Sequence, residues 1–188
     1  MSLNLKSYNF SKQPKKTKLA TGNIYQWELT ELAGIKMEKN MPALSEYLSF
    51  LHLTTLSSWS DIASWSQNQI EPKIELTPEI RKLANKLQAG KHSTREKVEA
   101  VFHFMQEDIN YVYAHVDANG YTPHRASKVL ENHYGDCKDQ TVLIVSLLKA
   151  MKIKAYPALI NTYPSELDEK TPVLHFDHMI VHVPSLES

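Results

Sequence analysis

Cys137 is the only cysteine of the chain, and it stands where a thiol can act as a nucleophile. Gly135 and Asp136 come before it, one a residue that interrupts regular structure and the other a residue that can cap a helix. An apolar run over residues 141–151 follows, so the pattern predicts a helix that begins at the thiol. The first turn of a helix favours a thiolate, because the positive end of the helix dipole and unpaired N–H groups lie there.

The charged residues around the thiol oppose this activation. Asp136 is a candidate N-cap, and Asp139 stands three positions later, as in a variant of the capping box. Two carboxylates close to the sulfur disfavour the thiolate, so a positive partner is needed, and histidine is the usual one. We expect Lys138, between the two carboxylates, to be solvated.

The candidate base lies in residues 175–183, whose composition is typical of a β-strand. A period of two places His178 and His182 on one face of this strand and His175 on the other. His178 is the central candidate because it lies between apolar residues that would hold its ring. Spacing alone leaves two alternatives open. One is a hydrogen-bonded strand histidine, and the other is a metal site of His175, His178 and His182, which no acidic or cysteine cluster supports.

The composition limits the classes of function. The chain has 188 residues, 42% apolar and 22% charged, which fits one globular domain, or a small domain and part of another. Lys plus Arg equals Asp plus Glu at 21 each, so no field of one sign argues for nucleic acid or an anionic membrane. A single cysteine excludes an intrachain disulfide and a multi-cysteine metal site, and we expect no cofactor. No stretch resembles a membrane span or a signal peptide.

Periodicity and capping signals predict the elements that must position the thiol. Residues 4–22 are basic and are expected to form a mobile arm or an edge. Strands are predicted at residues 23–32, 46–56, 154–162 and 175–183. Helices are predicted at residues 58–70, 78–90, 94–109, 125–131 and 137–151, with Thr77 and Ser93 as N-caps. A boundary is expected near residue 71.

Residues 134–140, Tyr-Gly-Asp-Cys-Lys-Asp-Gln, resemble the nucleophile motif of the transglutaminase-like superfamily. The similarity is to bacterial transglutaminase-like cores that follow an N-terminal module of unknown function, usually in exported proteins. Three further segments resemble the end of that module, the approach to the nucleophile helix and the strand of the catalytic histidine: residues 59–65, 120–127 and 176–181. The resemblance runs from about Tyr47 to the end of the chain.

The resemblance implies an α+β, papain-like core in which the cysteine begins a central helix packed on an antiparallel sheet. Residues 71–188 would form this core without its last strands, and residues 1–70 would be the trailing part of a β-rich N-terminal module. The family carries a catalytic aspartate on the strand after the histidine strand. We do not assign that role to Glu187, so we expect the aspartate beyond Ser188 and little or no activity without it. The uncovered sheet edge could then pair with another chain, giving self-association.

The implied reaction is acyl transfer by Cys137 and His178, without metal or cofactor. The Cys137 N–H is one expected oxyanion donor, and the cleft residues Tyr121 and His124 are candidates for a second. The resemblance favours a peptidase or amidase acting on a peptide or protein, with no nucleic acid or membrane contact. A crosslinking transglutaminase and an inactive peptide- or protein-binding scaffold are the alternatives. The resemblance also implies that the parent protein is exported to the periplasm or cell envelope.

Overall fold

The computed structural model describes residues 3–113, 120–162, 168 and 170–186. The chain divides into two compact units. The first comprises Met1–Ser58 and Tyr163–Val173, and the second comprises Trp59–Thr162 and Leu174–Ser188. The unit that contains Cys137 therefore begins at Trp59, upstream of the boundary expected near residue 71.

The first unit contains two antiparallel strand pairs. β1 (Asn4–Tyr8) pairs with β4 (Phe50–Thr54), and β2 (Lys15–Leu19) forms a hairpin with β3 (Gly22–Gln26). The strands expected within residues 23–32 and 46–56 are therefore present but shorter.

Of the two alternatives for residues 4–22, a mobile arm or an edge, the mobile arm is wrong, because β1 and β2 lie there. All five residues of β2 are exposed, so the strand lacks the apolar alternation that reveals a strand in a sequence. Pairing with β3 holds it instead. In the other pair, the rings of Tyr8 and Phe50 stack with centroids 4.5 Å apart, which adds a cross-strand aromatic contact.

The described part of the second unit contains five α-helices, all close to the predicted positions. They are α1 (Trp59–Ile70), α2 (Pro78–Gln88), α3 (Thr94–Asp108), α4 (Ala126–Asn132) and α5 (Cys137–Ala150). The predicted N-caps are confirmed: Thr77 accepts from the Ile80 N–H, and Ser93 forms a complete capping box with Glu96. None of the helices in the described residues is long and apolar enough to cross a membrane.

Helix α5 forms the centre of the core. Helices α2, α3 and α4 and the strand that carries His178 pack against it. Four of its apolar side chains are fully buried: Val142, Leu143, Leu147 and Leu148. The buried Ser146 hydroxyl donates to the Val142 carbonyl at 2.8 Å and accepts from the Glu75 N–H at 3.1 Å, so its polar group is satisfied. Helix α5, which is apolar on most sides, is therefore packed against neighbouring elements on most sides.

An antiparallel pair of strands lies on α5. β7 (Tyr156–Ile160) pairs with β8 (His178–His182), with Ile160 opposite His178. Met179 is 5% exposed, and its carbonyl accepts from the Thr141 hydroxyl at 3.4 Å, which ties β8 to the second turn of α5. The α+β class is confirmed, and the strand predicted at residues 175–183 begins only at His178.

A short parallel pair leads into α5. β5 (Asn110–Tyr111) lies beside β6 (Tyr134–Gly135), with Tyr111 opposite Gly135. Two backbone bonds fix the pair, from the Asn110 N–H to the His133 carbonyl at 2.8 Å and from the Val112 N–H to the Gly135 carbonyl at 3.2 Å. The chain therefore enters the cysteine helix from a pinned strand.

Candidate active site

Cys137 is the first residue of α5, and the cap predicted for this helix is confirmed. The Asp136 side chain accepts from the N–H groups of Lys138 and Asp139, and the Asp139 side chain accepts from the Asp136 N–H. The thiol is partly exposed at the tip of the helix, while its side chain also packs against the core. A fixed helix thus presents a partly accessible sulfur.

Lys138 is buried, so the expectation that it is solvated is wrong. The residue is 4% exposed, and its ammonium group forms an ion pair with the Asp136 carboxylate. The side chain turns back over the helix cap because a buried carboxylate needs a compensating charge. The negative charge of Asp136, which opposes thiolate formation at Cys137, is therefore balanced locally.

Asp139 is compensated in a similar way by His124. The His124 backbone N–H donates to Asp139 Oδ1 at 2.8 Å, and the ring Nδ1 lies 3.2 Å from Asp139 Oδ2. The Asp139 side chain is 7% exposed, whereas that of His124 is 55% exposed. This contact ties the segment before α4 to the first turn of α5. It favours a positioning role for His124, and the oxyanion role stays a prediction.

Gly135 allows a close approach between β6 and the first turn of α5. A Cβ atom at this position would lie 2.6 Å from the Asp139 Cβ and 3.3 Å from Val129 Cγ1. The Asp139 Cβ is bonded directly to the backbone of α5, so it cannot move without shifting the first turn of the helix. The glycine is therefore required by space next to the thiol.

Gly135→Ala is expected to lower the free energy of unfolding by about 1–3 kcal/mol, because the methyl group overpacks the first turn of α5. Denaturant unfolding measures this loss. Gly120→Ala is the matched control, since a Cβ there meets nothing within 4 Å. Equal stability of the two variants would contradict the close approach at Gly135.

His178 is the first residue of β8 and is half-buried. The next residue, Met179, is bonded through its carbonyl to Thr141, which lies one helical turn after Cys137 on the same side of α5. The start of β8 is thereby placed near the tip of the helix. No hydrogen bond joins Cys137 to His178 in the described part of the chain. Catalytic hydrogen bonds often tighten only when substrate binds.

Asp177 anchors the chain directly before His178. Its carboxylate accepts from the Thr162 N–H at 2.8 Å and from the Thr162 hydroxyl. These bonds hold the pKa of Asp177 below its ordinary value, and the bond from the Thr162 hydroxyl has the largest effect. A smaller electrostatic interaction with His178 lowers the pKa of Asp177 as well. The Asp177 carboxylate therefore links the segment after β7 to the segment before β8.

Tyr121 supports the same approach to β8. Its hydroxyl donates to the Phe176 carbonyl at 3.3 Å, two residues before His178, and its ring meets the edge of Trp65 with centroids 5.4 Å apart. The ring of Phe176 in turn contacts Trp59. These contacts favour a positioning role for Tyr121, and its oxyanion role also stays a prediction.

The structure adds Tyr111, to which sequence reasoning assigns no catalytic role. Its backbone lies opposite Gly135, two residues before Cys137, and burial followed by electrostatic interactions with Cys137 and Asp136 raises the pKa of Tyr111. This position of Tyr111 depends on the pairing of β5 with β6. Each of these strands has only two residues, which is too short to be predicted from the sequence pattern.

A metal centre finds no support among the described residues. They contain no group of three or more His, Cys, Asp or Glu side chains placed to hold an ion. His178 and His182 share a face of β8, whereas His175 precedes the strand. In the described part of the chain, the three histidines are therefore not arranged as a metal site.

A family model described as the transglutaminase-like superfamily matches residues 81–183, more than half of the chain, including Cys137 and His178. The chain belongs to the transglutaminase-like superfamily. The match runs from within α2 to just after β8, so it includes the central helix and its strand pair. No curated protein matches this transglutaminase-like chain in sequence.

Two solved structures resemble this transglutaminase-like chain. One is a "putative protease" from Parabacteroides distasonis, with a TM-score of 0.70 and 15% identity over 96% of this chain and 35% of that chain. The other is a "putative cysteine protease" from Cytophaga hutchinsonii, with a TM-score of 0.38 and 12% identity over 84% of this chain and 54% of that chain. The first shows a shared fold, and the expected papain-like, transglutaminase-like α+β core is confirmed. This chain spans 35% of the length of that first protein.

Proposed function

We propose that this transglutaminase-like chain carries the nucleophile and the base of a cysteine acyl-transfer enzyme, Cys137 and His178, and that the enzyme hydrolyses peptide or protein amides. The observation that carries the proposal is the placement of Cys137 as the first residue of a buried helix with an intact cap. The tie between Thr141 and Met179 brings the start of β8, where His178 lies, to the same end of that helix.

The proposed reaction has two steps. The Cys137 sulfur attacks the amide carbonyl carbon while His178 accepts the thiol proton, and the Cys137 N–H stabilises the oxyanion. The C–N bond then breaks, and His178 returns the proton to the leaving amine, which leaves a thioester on Cys137. In the second step His178 takes a proton from water while the oxygen attacks the thioester carbonyl carbon. The C–S bond then breaks, His178 returns the proton to the Cys137 sulfur, and the acid is released.

The third member of the triad remains part of the proposal. An aspartate that orients the imidazole can contribute several orders of magnitude in rate. Asp177 is adjacent to His178, but its carboxylate is bonded to Thr162, so it braces the strand. Glu187 lies outside the described residues. We therefore keep the expectation that the orienting acid follows Ser188.

Hydrolysis is favoured over the alternatives by the neighbour with the shared fold, which is described as a "putative protease". Crosslinking would require an amine to replace water at the thioester. A non-catalytic scaffold has no need of both a capped thiol and a histidine at one end of the core.

Association through the free edge of β8 stays a prediction, since in the described residues β8 pairs only with β7.

The proposal is tested by incubating the chain with p-nitrophenyl acetate and mapping the product by mass spectrometry. Even without the orienting aspartate we expect one acetyl group to form on Cys137, because an activated ester needs less acid–base assistance than an amide, and we expect only slow release of acetate to water. Addition of dansylcadaverine separates hydrolysis from crosslinking, because a crosslinking enzyme forms the acetylated amine. If Cys137 reacts with iodoacetamide but takes no acetyl group, the chain is a scaffold and the proposal is wrong.

A further inference from the structure

A groove within the second unit is lined by one face of α1 and by β7, and we name it the α1–β7 groove. Its first part is a cavity of about 490 Å³, a size typical of ligand pockets. The α1 residues in its lining stand at helical spacing: Trp59, Ile62, Ala63, Ser66, Gln67 and Ile70. Among the described residues, Glu71 is the one charged residue in this lining, so the cavity is mainly apolar.

The apolar cavity lies beside the strand position of the proposed base. Phe176 lines the cavity two residues before His178, and its ring meets the edge of Trp59 with centroids 6.0 Å apart. Leu159 also lines the cavity, directly before Ile160, which stands opposite His178 in the β7–β8 pair. The groove therefore starts at the end of the sheet where the chemistry is proposed.

The other end of the α1–β7 groove is basic. A second cavity of about 390 Å³ continues the first, because four residues, among them Glu71, line both. Its lining contains three lysines from the end of α5 and the segment after it: Lys149, Lys152 and Lys154. The Lys149 ammonium lies 3.2 Å from the Glu71 carboxylate. Lys152 and Lys154 form no ion pair within the described part of the chain, so two positive charges are in excess here.

Strand β7 connects the two ends of the groove. At the usual rise of an extended chain it measures about 13 Å from Ile160 to Tyr156, and Lys154 stands two residues before Tyr156. An extended peptide covers this distance in about four to six residues. A peptide with its reacting bond at the catalytic end therefore reaches both the apolar cavity and the lysines.

We propose that the α1–β7 groove binds the substrate peptide in an extended form and selects its sequence. An apolar side chain of the peptide enters the cavity beside Phe176, and an acidic residue about four to six positions away meets Lys152 and Lys154. The inference rests on the function proposed above. Burial of the apolar side chain supplies affinity, and the excess positive charge selects a carboxylate. The occupant is a peptide because the groove starts at the proposed catalytic end.

Peptide binding to the Cys137→Ala variant tests the groove without catalysis. The probes are fluorescein-labelled peptides of about eight residues, with alternating leucines in one half and two glutamates in the other, so that they span the groove. Two versions carry the glutamates at the amino or the carboxyl end, since an extended peptide can lie in either direction. Matched peptides have glutamine in place of glutamate. We expect the better glutamate peptide to bind about 3–10-fold more tightly than its glutamine counterpart, and added salt to remove most of this preference.

Ala63→Trp, made in the Cys137→Ala background, fills the apolar cavity from an exposed position of α1. We expect the affinity for both kinds of peptide to fall about 10–100-fold, because one apolar side chain loses its site. Ser64→Trp is the matched control, since Ser64 is the next residue of α1, is exposed and lies outside the lining. It should bind the peptides as Cys137→Ala does. Circular dichroism compares the folds of the two variants.

Reversal of the lysine charges tests the basic end. Lys152→Glu combined with Lys154→Glu should abolish the preference for glutamate over glutamine. Lys82→Glu combined with Lys86→Glu changes the net charge equally at exposed positions of α2 outside the groove, and it should keep the preference. This comparison decides the matter even if Ala63→Trp does not fold.

The outcomes separate this inference from the proposed function. Equal affinity of Ala63→Trp and Ser64→Trp would overturn the apolar site, and an equal preference in the two lysine pairs would overturn the acidic selection. Acylation of Cys137 by p-nitrophenyl acetate is measured independently on the unchanged protein. If Cys137 is acylated while all variants bind alike, the groove is wrong and the function stands. If the groove binds as expected but Cys137 is not acylated, the peptide site stands and the function is wrong.

Discussion

Cys137→Ala is expected to abolish acylation by p-nitrophenyl acetate, leaving only the rate of the uncatalysed reaction. The reason is that the sulfur is the only group of the proposed mechanism that forms a bond to the substrate, and the chain has no second cysteine to replace it. The substitution should leave the fold intact, because the side chain is small and partly exposed and the cap is formed by Asp136 and Asp139. Initial rates of nitrophenolate release measure the effect.

Cys137→Ser is the companion variant, since it keeps the size of the side chain and a hydroxyl in place of the thiol. We expect it to be nearly as inactive as Cys137→Ala, because a serine hydroxyl needs stronger activation than a thiol. Circular dichroism and thermal unfolding should match those of the unchanged protein. Full acylation activity in the alanine variant would show that another residue is the nucleophile.

His178→Ala is expected to lower the rate of Cys137 acylation by about 10²–10⁴-fold, the range for loss of a general base. His178 lies at the end of β8 that the Thr141–Met179 bond fixes near the tip of α5. The measurement is the single-turnover rate of acetyl transfer to Cys137 at neutral pH.

His182→Ala is the matched control for this prediction. His182 shares a face and a strand with His178, but it lies at the far end of β8, where its ring stacks on Tyr156 with centroids 6.4 Å apart. Its loss should leave acylation close to the rate of the unchanged protein. Equal rates in the two variants would remove His178 from the mechanism.

The helix starts of this protein could be predicted because their signals are local. Thr77, Ser93 and Asp136 each bond to N–H groups within three residues, and the structure confirms all three caps. The apolar run after Cys137 likewise predicts a helix buried on most sides. The capped thiol of the candidate site could therefore be predicted from the sequence. The strand pattern also gave His178 as the central candidate for the base, and the family resemblance supported that choice.

Contacts between distant segments could not be predicted in this way. β2 carries no buried residue and so no periodic signal, which is why the arm predicted at residues 4–22 is wrong. Lys138 is buried because its long side chain folds back to Asp136, and a charged residue in a sequence gives no indication of this. Tyr111 lies opposite Gly135 only through a two-residue parallel bridge. Local patterns do not contain such pairings.

The central claim is that Cys137 and His178 act as a pair, and the alkylation rate of Cys137 tests it most directly. The measurement compares iodoacetamide modification of the unchanged protein, His178→Ala and free cysteine at pH 6 to 7, where a free thiol, with a pKa near 8.5, is almost entirely protonated. We predict that Cys137 reacts much faster than free cysteine and that His178→Ala removes most of this excess. A rate equal to that of free cysteine, unchanged in His178→Ala, would contradict the pair.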